Sequence, residues 1–255
     1  MASRRGFDGY CISTDASALL QPLCDCGSNH LVDEIVTLVN IGKRVAIFDL
    51  DGTLINGDSY LLFLYRCVRQ FGGATGSLWR VPYYTALYLV GMASNTALKE
   101  AFLEAGLEGR AVKDVQEVAK KFAEYLVGNY ANEGLVQALK AHQRDGARVV
   151  LATASPDLYV REVAKQLGIS EVICTLVEVK EGYITGRLLG GNCYGVEKVK
   201  RLEEILTPSE FESSVCYTDH YSDLPMLQKV KQGILVRPSW PTRFRLRRHG
   251  FLTLN

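Results

Sequence analysis

Two carboxylates follow an unbroken apolar run near the start of the chain. The run is Val45–Phe48, and Asp49, Asp51 and Gly52 come directly after it. An apolar run without alternation is typical of a strand buried on both faces of a parallel sheet. Asp49 would then lie at the carboxyl end of that strand, the edge at which open α/β sheets bind ligands. Carboxylates are preferred ligands of Mg²⁺, so the pair indicates a metal-assisted reaction, and a simple turn cap is the alternative.

A second buried strand is predicted at residues 147–152, which are apolar except for Arg148, and it ends in Thr153, Ala154 and Ser155. A hydroxyl at a strand end can donate to a phosphate oxygen, and the N-terminus of a following helix adds backbone N–H groups. Ordinary N-capping by Thr153 or Ser155 is the alternative. The carboxyl ends of parallel strands meet at one edge of the sheet, so Thr153 and Ser155 are expected near Asp49. This position favours phosphate binding over capping.

Two later segments supply further charges. Lys198 falls in the first turn of a helix predicted to follow Gly195. A cation there is unfavourable for the helix dipole, but it can neutralise a phosphoryl group. Another short apolar run ends at Asp219, and Asp223 follows four residues later. A helical lysine by itself is usually a solvated surface residue, so the order of these segments decides the interpretation.

The order of these segments is similar to that of a known family. The segment 48–54, FDLDGTL, resembles the first motif, D-x-D-G-T, of the haloacid dehalogenase superfamily. Asp219 to Asp223 resembles its last motif, D-x-x-x-D. The resemblance extends over about residues 44 to 240 and is greatest to the phosphoserine-phosphatase-like branch, subfamily IB. It implies an α/β fold, with a Rossmann-like parallel sheet core and a small helical cap inserted after the first strand.

The resemblance also implies a reaction and roles for individual residues. The expected enzyme is a Mg²⁺-dependent phosphatase that hydrolyses a small phosphomonoester through an aspartyl phosphate. Asp49 would attack phosphorus, Asp51 would act as general acid and base, and Lys198 would offset the charge of the phosphoryl group. The metal ligands implied are Asp49, Asp51, Asp219 and Asp223, and the substrate-binding residues are Thr153, Ala154 and Asp58. His220 is expected at the rim, because Mg²⁺ prefers oxygen ligands.

The cap segment bears on the substrate. Phosphoserine phosphatases carry a segment like L-R-x-R-V, whose second arginine binds the serine carboxylate. The nearest match here, Leu98–Phe102, places Ala101 at that position. This predicts weak activity on phosphoserine, with Lys99 or Arg80 as other candidates for a carboxylate partner. The alternatives are a phosphatidylglycerophosphate-type lipid phosphatase, a phosphotransferase, and a catalytically idle binding protein of the same fold.

The domain organisation follows from these motifs. Residues 1–43 form an N-terminal extension that is expected to be partly loose, 44–60 and 144–255 the core, and 61–143 the cap. The apolar, tyrosine-rich stretch Trp79–Val90 is expected to pack in the core, with contact to a lipid chain as the alternative. The basic tail, which contains Arg243 to Arg248, is expected to be a solvated end that can also contact anionic surfaces.

Composition excludes several classes of protein. A formal net charge of +1 gives no support for a nucleic-acid partner. No apolar run reaches the roughly 18 to 20 residues that span a bilayer, and no secretory signal is evident, so a cytoplasmic location is expected. The seven cysteines are scattered, which favours reduced thiols over disulfides. A zinc site at Cys24 and Cys26 has the wrong spacing. The oligomeric state is not predicted.

Overall fold

The computed structural model describes residues 45–73 and 79–254. The expectations for residues 1–43, including a helix near Leu31–Val39 and the cysteine pair at Cys24 and Cys26, lie outside the described residues. Within them, Cys67, Cys174, Cys193 and Cys216 are buried free thiols. This agrees with the reduced thiols expected from the sequence.

Seven strands form one sheet in the order β4-β3-β2-β1-β5-β6-β7. All neighbouring strands are parallel except the hairpin of β3 and β4, whose turn lies at Glu181 and Gly182. The predicted Rossmann-like α/β fold is confirmed. The strands are β1 (Val45–Phe48), β2 (Arg148–Pro156), β3 (Glu171–Lys180), β4 (Tyr183–Leu189), β5 (Ser214–Thr218), β6 (Gln232–Val236) and β7 (Leu252–Leu254).

Ten α-helices surround the sheet in the described part of the chain, and five of them lie between β1 and β2. Those five are α1 (Ser59–Gln70), α2 (Arg80–Leu89), α3 (Asn95–Leu107), α4 (Val112–Tyr130) and α5 (Glu133–Arg144). The others are α6 (Asp157–Gln166), α7 (Val196–Glu203), α8 (Pro208–Phe211), α9 (Leu224–Lys229) and α10 (Trp240–Leu246). A 3₁₀ turn, Tyr221–Asp223, precedes α9.

Strand β1 lies at the centre of the sheet, and both of its faces are buried. Ala46 and Phe48 pack into the hydrophobic cluster on the side of α1, α4, α5 and α6. Val45 and Ile47 pack into the cluster on the side of α7 and α9. Alternate side chains of a strand point to opposite faces, so burial on both sides requires every residue to be apolar. This is the physical basis of the unbroken apolar run.

The helical insertion after β1 has two parts. Helix α4 packs along α6, and α5 packs against β2, so both lie against the sheet layer. Helices α1 and α3 contribute Tyr60, Leu61, Leu98 and Lys99 to a cavity above the carboxyl end of β1. The cap limits of 61–143 stay a prediction, and α1 and α3 carry the part that faces the strand ends.

The stretch Trp79–Val90 does not pack in the core, and that expectation was wrong. Helix α2 has no buried side chain, and Trp79, Leu89 and Val90 are 66%, 78% and 68% exposed. Helix α2 packs beside α3, which separates it from the sheet. Apolar composition favours burial, but the sequence does not specify the surface against which a helix packs.

The structure rules out the capping alternative for the second strand and shows more regular structure in the tail than the sequence indicates. Strand β2 runs through to Pro156, which precedes α6 without a side-chain capping hydrogen bond, so neither Thr153 nor Ser155 caps that helix. The basic tail is not merely a solvated end. It contains α10, whose Leu246 is buried, and β7, which pairs in parallel with β6.

Candidate active site

Asp49 and Lys198 meet at the carboxyl end of β1. The backbone N–H of Asp49 donates to the carbonyl of Tyr217 on β5 (3.0 Å), which continues the sheet ladder by one residue. Lys198 reaches the same point from the first turn of α7, and its Nζ donates to Asp49 Oδ1 (3.1 Å) and Asp223 Oδ2 (2.9 Å). All three side chains are buried. The sequence-predicted Asp49, Lys198 and Asp223 are therefore brought together in one buried ion-pair group.

The charges of this group depend on one another. Burial opposes the positive charge of Lys198, but Asp223 and Asp49 outweigh burial, and the pKa of Lys198 is raised above its ordinary value. Burial raises the pKa of the Asp49 carboxyl, and the adjacent Lys198 ammonium opposes that change. Lys198 therefore stays cationic at neutral pH, and it supplies the positive charge that an ionised Asp49 requires.

Both side-chain oxygens of Asp51 are held by hydrogen bonds. The backbone N–H of Ser59 donates to Oδ1 (2.7 Å), and the hydroxyl of Ser155 donates to Oδ2 (2.5 Å). The hydroxyl of Ser59 lies 2.7 Å from that of Tyr159. Burial raises the pKa of Asp51, whereas the bonds from Ser155 and Ser59 lower it. A positioned carboxyl whose pKa is raised is suited to general acid and base work.

Asp219 lies against the turn that follows Asp51. Gly52 has φ +73°, and a Cβ added there would lie 2.3 Å from Asp219 Oδ2. Only glycine leaves space for the Asp219 carboxylate and accepts this backbone conformation without strain. Burial raises the pKa of Asp219 to about 6. The turn glycine of the first motif is therefore also a packing requirement of the last motif.

The carboxylates at this edge fit a divalent metal. Asp223 Oδ1 is buried and has no hydrogen-bond partner, so this oxygen of the site lacks compensation. The other oxygen, Asp223 Oδ2, accepts hydrogen bonds from Thr218 Oγ1 and Lys198 Nζ. Within residues 45–73 and 79–254, no three acidic, histidine or cysteine side chains already converge on one point. Mg²⁺ is compatible with such a site, because it is commonly held by one or two carboxylates together with water and substrate oxygens.

The predicted substrate-binding residues occupy different parts of the cavity edge. Thr153 is buried, and its Oγ1 accepts the N–H of Ser155 (3.0 Å). Ala154 follows it and lines the cavity. Asp58 is exposed at the opposite wall, where its carboxylate caps α1 by accepting the N–H of Leu61 (3.1 Å). No ligand contact tests these three roles, and they stay predictions.

A cavity of about 510 Å³ opens above these groups. Its floor consists of Asp49, Asp51, Lys198, Asp219 and Asp223. The wall opposite is polar and aromatic, and its members come from the insertion and from the loops after β4 and β5. It is lined by Asp58, Tyr60, Asn95, Leu98, Lys99, Phe102, Tyr194, His220 and Ser222. His220 lies at the rim, where its Nδ1 is 2.8 Å from Ser222 Oγ, and burial lowers its pKa.

A hydrogen-bonded network across the wall was not anticipated from the sequence. Lys99 Nζ donates to the Ala154 carbonyl (2.5 Å) and to Asn192 Oδ1 (3.0 Å). Asn192 in turn donates to Asn95 Oδ1 (2.7 Å). Burial lowers the pKa of Lys99 to about 8. The residues lie almost 100 positions apart and follow no motif, so the sequence holds no signal for the network. It connects α3 to the segment predicted to bind phosphate.

The other cap residues considered for a substrate carboxylate lie elsewhere. Ala101 is buried and does not line the cavity. Arg80 pairs with the buried Glu104, which also pairs with Arg187 (3.3 Å). Of the basic candidates in the cap, Lys99 is therefore the one that lines the cavity.

The family model for haloacid dehalogenase-like hydrolases matches residues 46–228 of this chain. Among similar proteins, CicA of Caulobacter vibrioides is 33% identical over 71% of this chain and 80% of its own length. Phosphoserine phosphatase SerB1 of Mycobacterium tuberculosis is 26% identical over 81% of this chain and 68% of its own. Histidinol-phosphatase of Neisseria meningitidis is 26% identical over 84% of this chain and 99% of its own.

The solved structure of a Bordetella pertussis protein of unknown function has the same fold. Its TM-score is 0.74 at 23% identity, and the match includes 84% of this chain and 99% of that one. The family match spans the segments that hold Asp49, Lys198 and Asp223, whose side chains meet in one cavity. With motif acids at the edge expected of them and relatives that are named phosphatases, this chain belongs to the haloacid dehalogenase-like hydrolases and is a phosphatase of that family.

Proposed function

We propose that the protein hydrolyses a small phosphomonoester with the help of Mg²⁺ through a phosphorylated Asp49. The observation that carries this proposal is the position of Asp49. Its carboxylate lies on the floor of the cavity, bonded to Lys198 at 3.1 Å, and Asp51 lines the same cavity. A nucleophile, an acid–base group and a fixed cation are the parts that phosphoryl transfer through an enzyme carboxylate requires.

In the first half-reaction, a carboxylate oxygen of Asp49 attacks phosphorus, and the bond between phosphorus and the ester oxygen breaks. Asp51 donates its proton to the departing alkoxide, which leaves as the alcohol. In the second, Asp51 takes a proton from water, and the oxygen of that water attacks phosphorus. The bond to Asp49 breaks, and inorganic phosphate is released. Lys198 offsets the repulsion between the phosphate dianion and the Asp49 carboxylate throughout.

Mg²⁺ would be held by Asp49, Asp219 and Asp223, with Asp223 Oδ1 as the buried oxygen that lacks a partner. When bound, the ion supplies positive charge that offsets the negative charge of the phosphoryl group. The side-chain oxygens of Asp51 are already bonded to Ser59 and Ser155, so its role as a ligand stays a prediction.

The leaving group would lie against the wall of the cavity. Asp58 and Lys99 place one acid and one base there, so a small polar alcohol is favoured. With Ala101 buried, phosphoserine is expected to be turned over more slowly than another phosphomonoester, and Lys99 is the candidate partner for any carboxylate it retains. The relatives named for phosphoserine and histidinol phosphate differ in leaving group, so a substrate panel has to decide.

The experiment is a phosphate-release screen over phosphorylated metabolites and lipid phosphates, with p-nitrophenyl phosphate as the generic substrate. We expect Mg²⁺-dependent turnover that EDTA abolishes, and unchanged activity after EDTA would contradict the metal assignment. No turnover of any ester would favour a catalytically idle protein. A phosphorylated alcohol among the products would assign a phosphotransferase. The cytoplasmic location expected from the sequence stays a prediction.

A further inference from the structure

Both tryptophans of this chain lie on the surface. Trp79 is 66% exposed and Trp240 is 75% exposed. A single exposed apolar residue is common in folded proteins, but a group of large apolar side chains on the surface marks an interaction site. Each one begins or precedes a short helix with further exposed apolar side chains. These two helices are α2 and α10.

The first surface is formed by α2 and the turn that follows it. Its exposed apolar members are Trp79, Tyr83, Leu89, Val90 and Met92. None of the side chains of α2 is buried. Transfer of exposed apolar side chains from water to an apolar phase is favourable, so contact with such a phase would lower the free energy of this helix. We call this group the α2 surface.

The second surface is formed by α10. Thr242 and Leu246 face the protein, and Trp240 and Phe244 project away from it with stacked rings 5.6 Å apart. Arg247 lies over the Phe244 ring (4.2 Å), and Arg248 beside it is exposed. Aromatic rings are thus interspersed with guanidinium groups. We call this group the α10 surface.

Each surface lies beside an element that lines the cavity. Tyr194 lines the cavity, and burial raises its pKa, to which the nearby Tyr221 and Tyr88 of α2 contribute. Arg245 of α10 lies over the Tyr221 ring at 3.9 Å. The α10 surface therefore adjoins the 3₁₀ turn, whose Ser222 lines the cavity, and the α2 surface adjoins α3, whose Leu98 and Lys99 line it.

The charge of both segments has one sign. Neither aspartate nor glutamate occurs between Ser59 and Lys99, and none follows Asp223. The chain as a whole is nearly neutral at +1, so the acids are concentrated elsewhere. Tryptophan and tyrosine with arginine and no acid is the composition that favours the interface of an anionic bilayer.

We propose that the α2 and α10 surfaces bind an anionic phospholipid membrane, so that the cavity mouth faces the headgroups. None of the helices in residues 45–73 and 79–254 has the length and apolar character to cross a bilayer, so the contact is interfacial. A second copy of the chain would oppose arginine to arginine on α10. A nucleic acid would leave Leu89, Val90 and Met92 without an apolar partner. The proposal does not rest on the proposed catalytic cycle.

The two tryptophans make the full-length chain its own probe. We would titrate it with vesicles of 30% phosphatidylglycerol in phosphatidylcholine and record tryptophan emission, with brominated lipids as quenchers. Emission should shift to shorter wavelength and be quenched in both single-tryptophan variants, Trp79→Phe and Trp240→Phe. Pure phosphatidylcholine, or 0.5 M salt, should weaken binding. Absence of binding to anionic vesicles at low salt would overturn the proposal.

Matched variants test the location. Arg247→Gln with Arg248→Gln should weaken partitioning about 25-fold, at about fivefold for each arginine. The control pair Lys140→Gln and Arg144→Gln removes two exposed cations from α5 and should have no effect. Leu89→Glu should abolish quenching of Trp79, whereas Ile205→Glu, at an exposed position two residues beyond the end of α7, should not. Turnover of p-nitrophenyl phosphate by Leu89→Glu should equal that of the parent chain, which separates this test from that of the reaction. Equal binding by all variants, or a lipid-free dimer that shields the tryptophans, would overturn it.

Discussion

The floor of the cavity contains Asp49, Lys198 and Asp223, whereas its wall contains Lys99 and Asn95, which are both hydrogen-bonded to the buried Asn192. On the floor, the ammonium of Lys198 lies 3.1 Å from the Asp49 carboxyl and 2.9 Å from that of Asp223, and all three side chains are largely buried. On the wall, one lysine donates to neutral oxygens only, a backbone carbonyl and an asparagine. The carboxylates thereby stabilise the protonated form of Lys198, whereas burial disfavours the protonated form of Lys99.

This difference shows in the two pKa values. Burial opposes the charge of both lysines, but the adjacent carboxylates raise the pKa of Lys198, and that of Lys99 falls to about 8. Lys198 on the floor is therefore expected to stay protonated throughout the reaction. The protonation of Lys99 on the wall is expected to change with pH and with the leaving group. Variants on the two sides are therefore expected to differ in magnitude and in kind.

The largest effect is expected for Asp49→Asn. Without the attacking carboxylate no phosphoenzyme forms, and turnover should fall by about 10⁴-fold or more. Steady-state release of phosphate from p-nitrophenyl phosphate checks this, with Asp145→Asn on the exposed end of α5 as the matched control. Substantial turnover by Asp49→Asn would remove Asp49 from the mechanism.

Next in size is Asp51→Asn, which leaves the nucleophile but removes the proton donor. Turnover of an alkyl phosphate should fall by about 10² to 10⁴. The loss in the phosphorylation step should be smaller for p-nitrophenyl phosphate, whose phenolate leaves readily. Because the second step still lacks a base, phosphate should accumulate on Asp49, as mass spectrometry would detect. A phosphate on any other residue would contradict the assignment.

Lys198→Met tests the charge balance of the floor. Loss of the cation leaves Asp49 and Asp223 as uncompensated buried acids, so the free energy of unfolding should fall by about 3 to 5 kcal/mol. Thermal unfolding in EDTA measures this, and Mg²⁺ should recover part of the loss because it is the other cation the acids can bind. Lys200→Met, two residues along the same helix and exposed, is the control. Equal stability of the two variants would show that the ion pairs are not needed.

A smaller effect, on the wall, is expected for Lys99→Met. Loss of one charge-assisted contact costs roughly 1.5 to 3 kcal/mol, which would raise KM about ten- to hundredfold for an anionic leaving group. Since the folded pKa lies at about 8, below the ordinary 10.5, Lys99 loses its proton as pH rises through 8. KM of the parent chain should therefore increase above pH 8, and KM of the Lys99→Met variant should not show this increase. Identical pH profiles would exclude Lys99 from binding.

The same titration has a consequence for stability. Because the unfolded chain keeps the Lys99 proton up to about 10.5, the unfolded state binds more protons between pH 8 and 10.5. The contribution of Lys99 to the free energy of unfolding should therefore rise over this window, and it should be lost as pH falls through 8. Chemical denaturation of the parent chain and Lys99→Met across the window would measure the difference.

The smallest effect is expected for Ser155→Ala. One hydrogen bond to Asp51 is removed, at a cost of about 1 kcal/mol or roughly fivefold in turnover. Because that bond favours the ionised form, its loss should raise the pKa of Asp51 further. As the general acid, Asp51 has to be protonated, so the alkaline limb of the pH dependence of kcat/KM should move to higher pH. Ser209→Ala on the exposed α8 should leave the profile unchanged.

The side chains on the floor of the cavity could be predicted from the sequence. Each of its side chains lies beside a segment with a strong physical signature: the apolar run before Asp49, the helix start that carries Lys198, and the short strand before Asp219. A strand buried on both faces has to be apolar throughout, and an acid at its end then has few explanations other than a ligand or a reaction. The parallel sheet follows from the same runs, because it leaves their carboxyl ends at one edge.

The tertiary structure alone decided the wall and the outer surface. Lys99, Asn95 and Asn192 meet through the packing of α3 on β4, and no spacing in the chain encodes that contact. The same limit applies to Trp79–Val90, whose composition suits a core and whose position is exposed. Hydrophobic periodicity indicates that a helix has an apolar side. Which surface covers that side depends on residues that are far away in the chain. Local sequence patterns therefore specify the helices and strands and the residues at their ends. The packing of helices and strands that are distant in the chain forms the surfaces that contact a substrate or a partner.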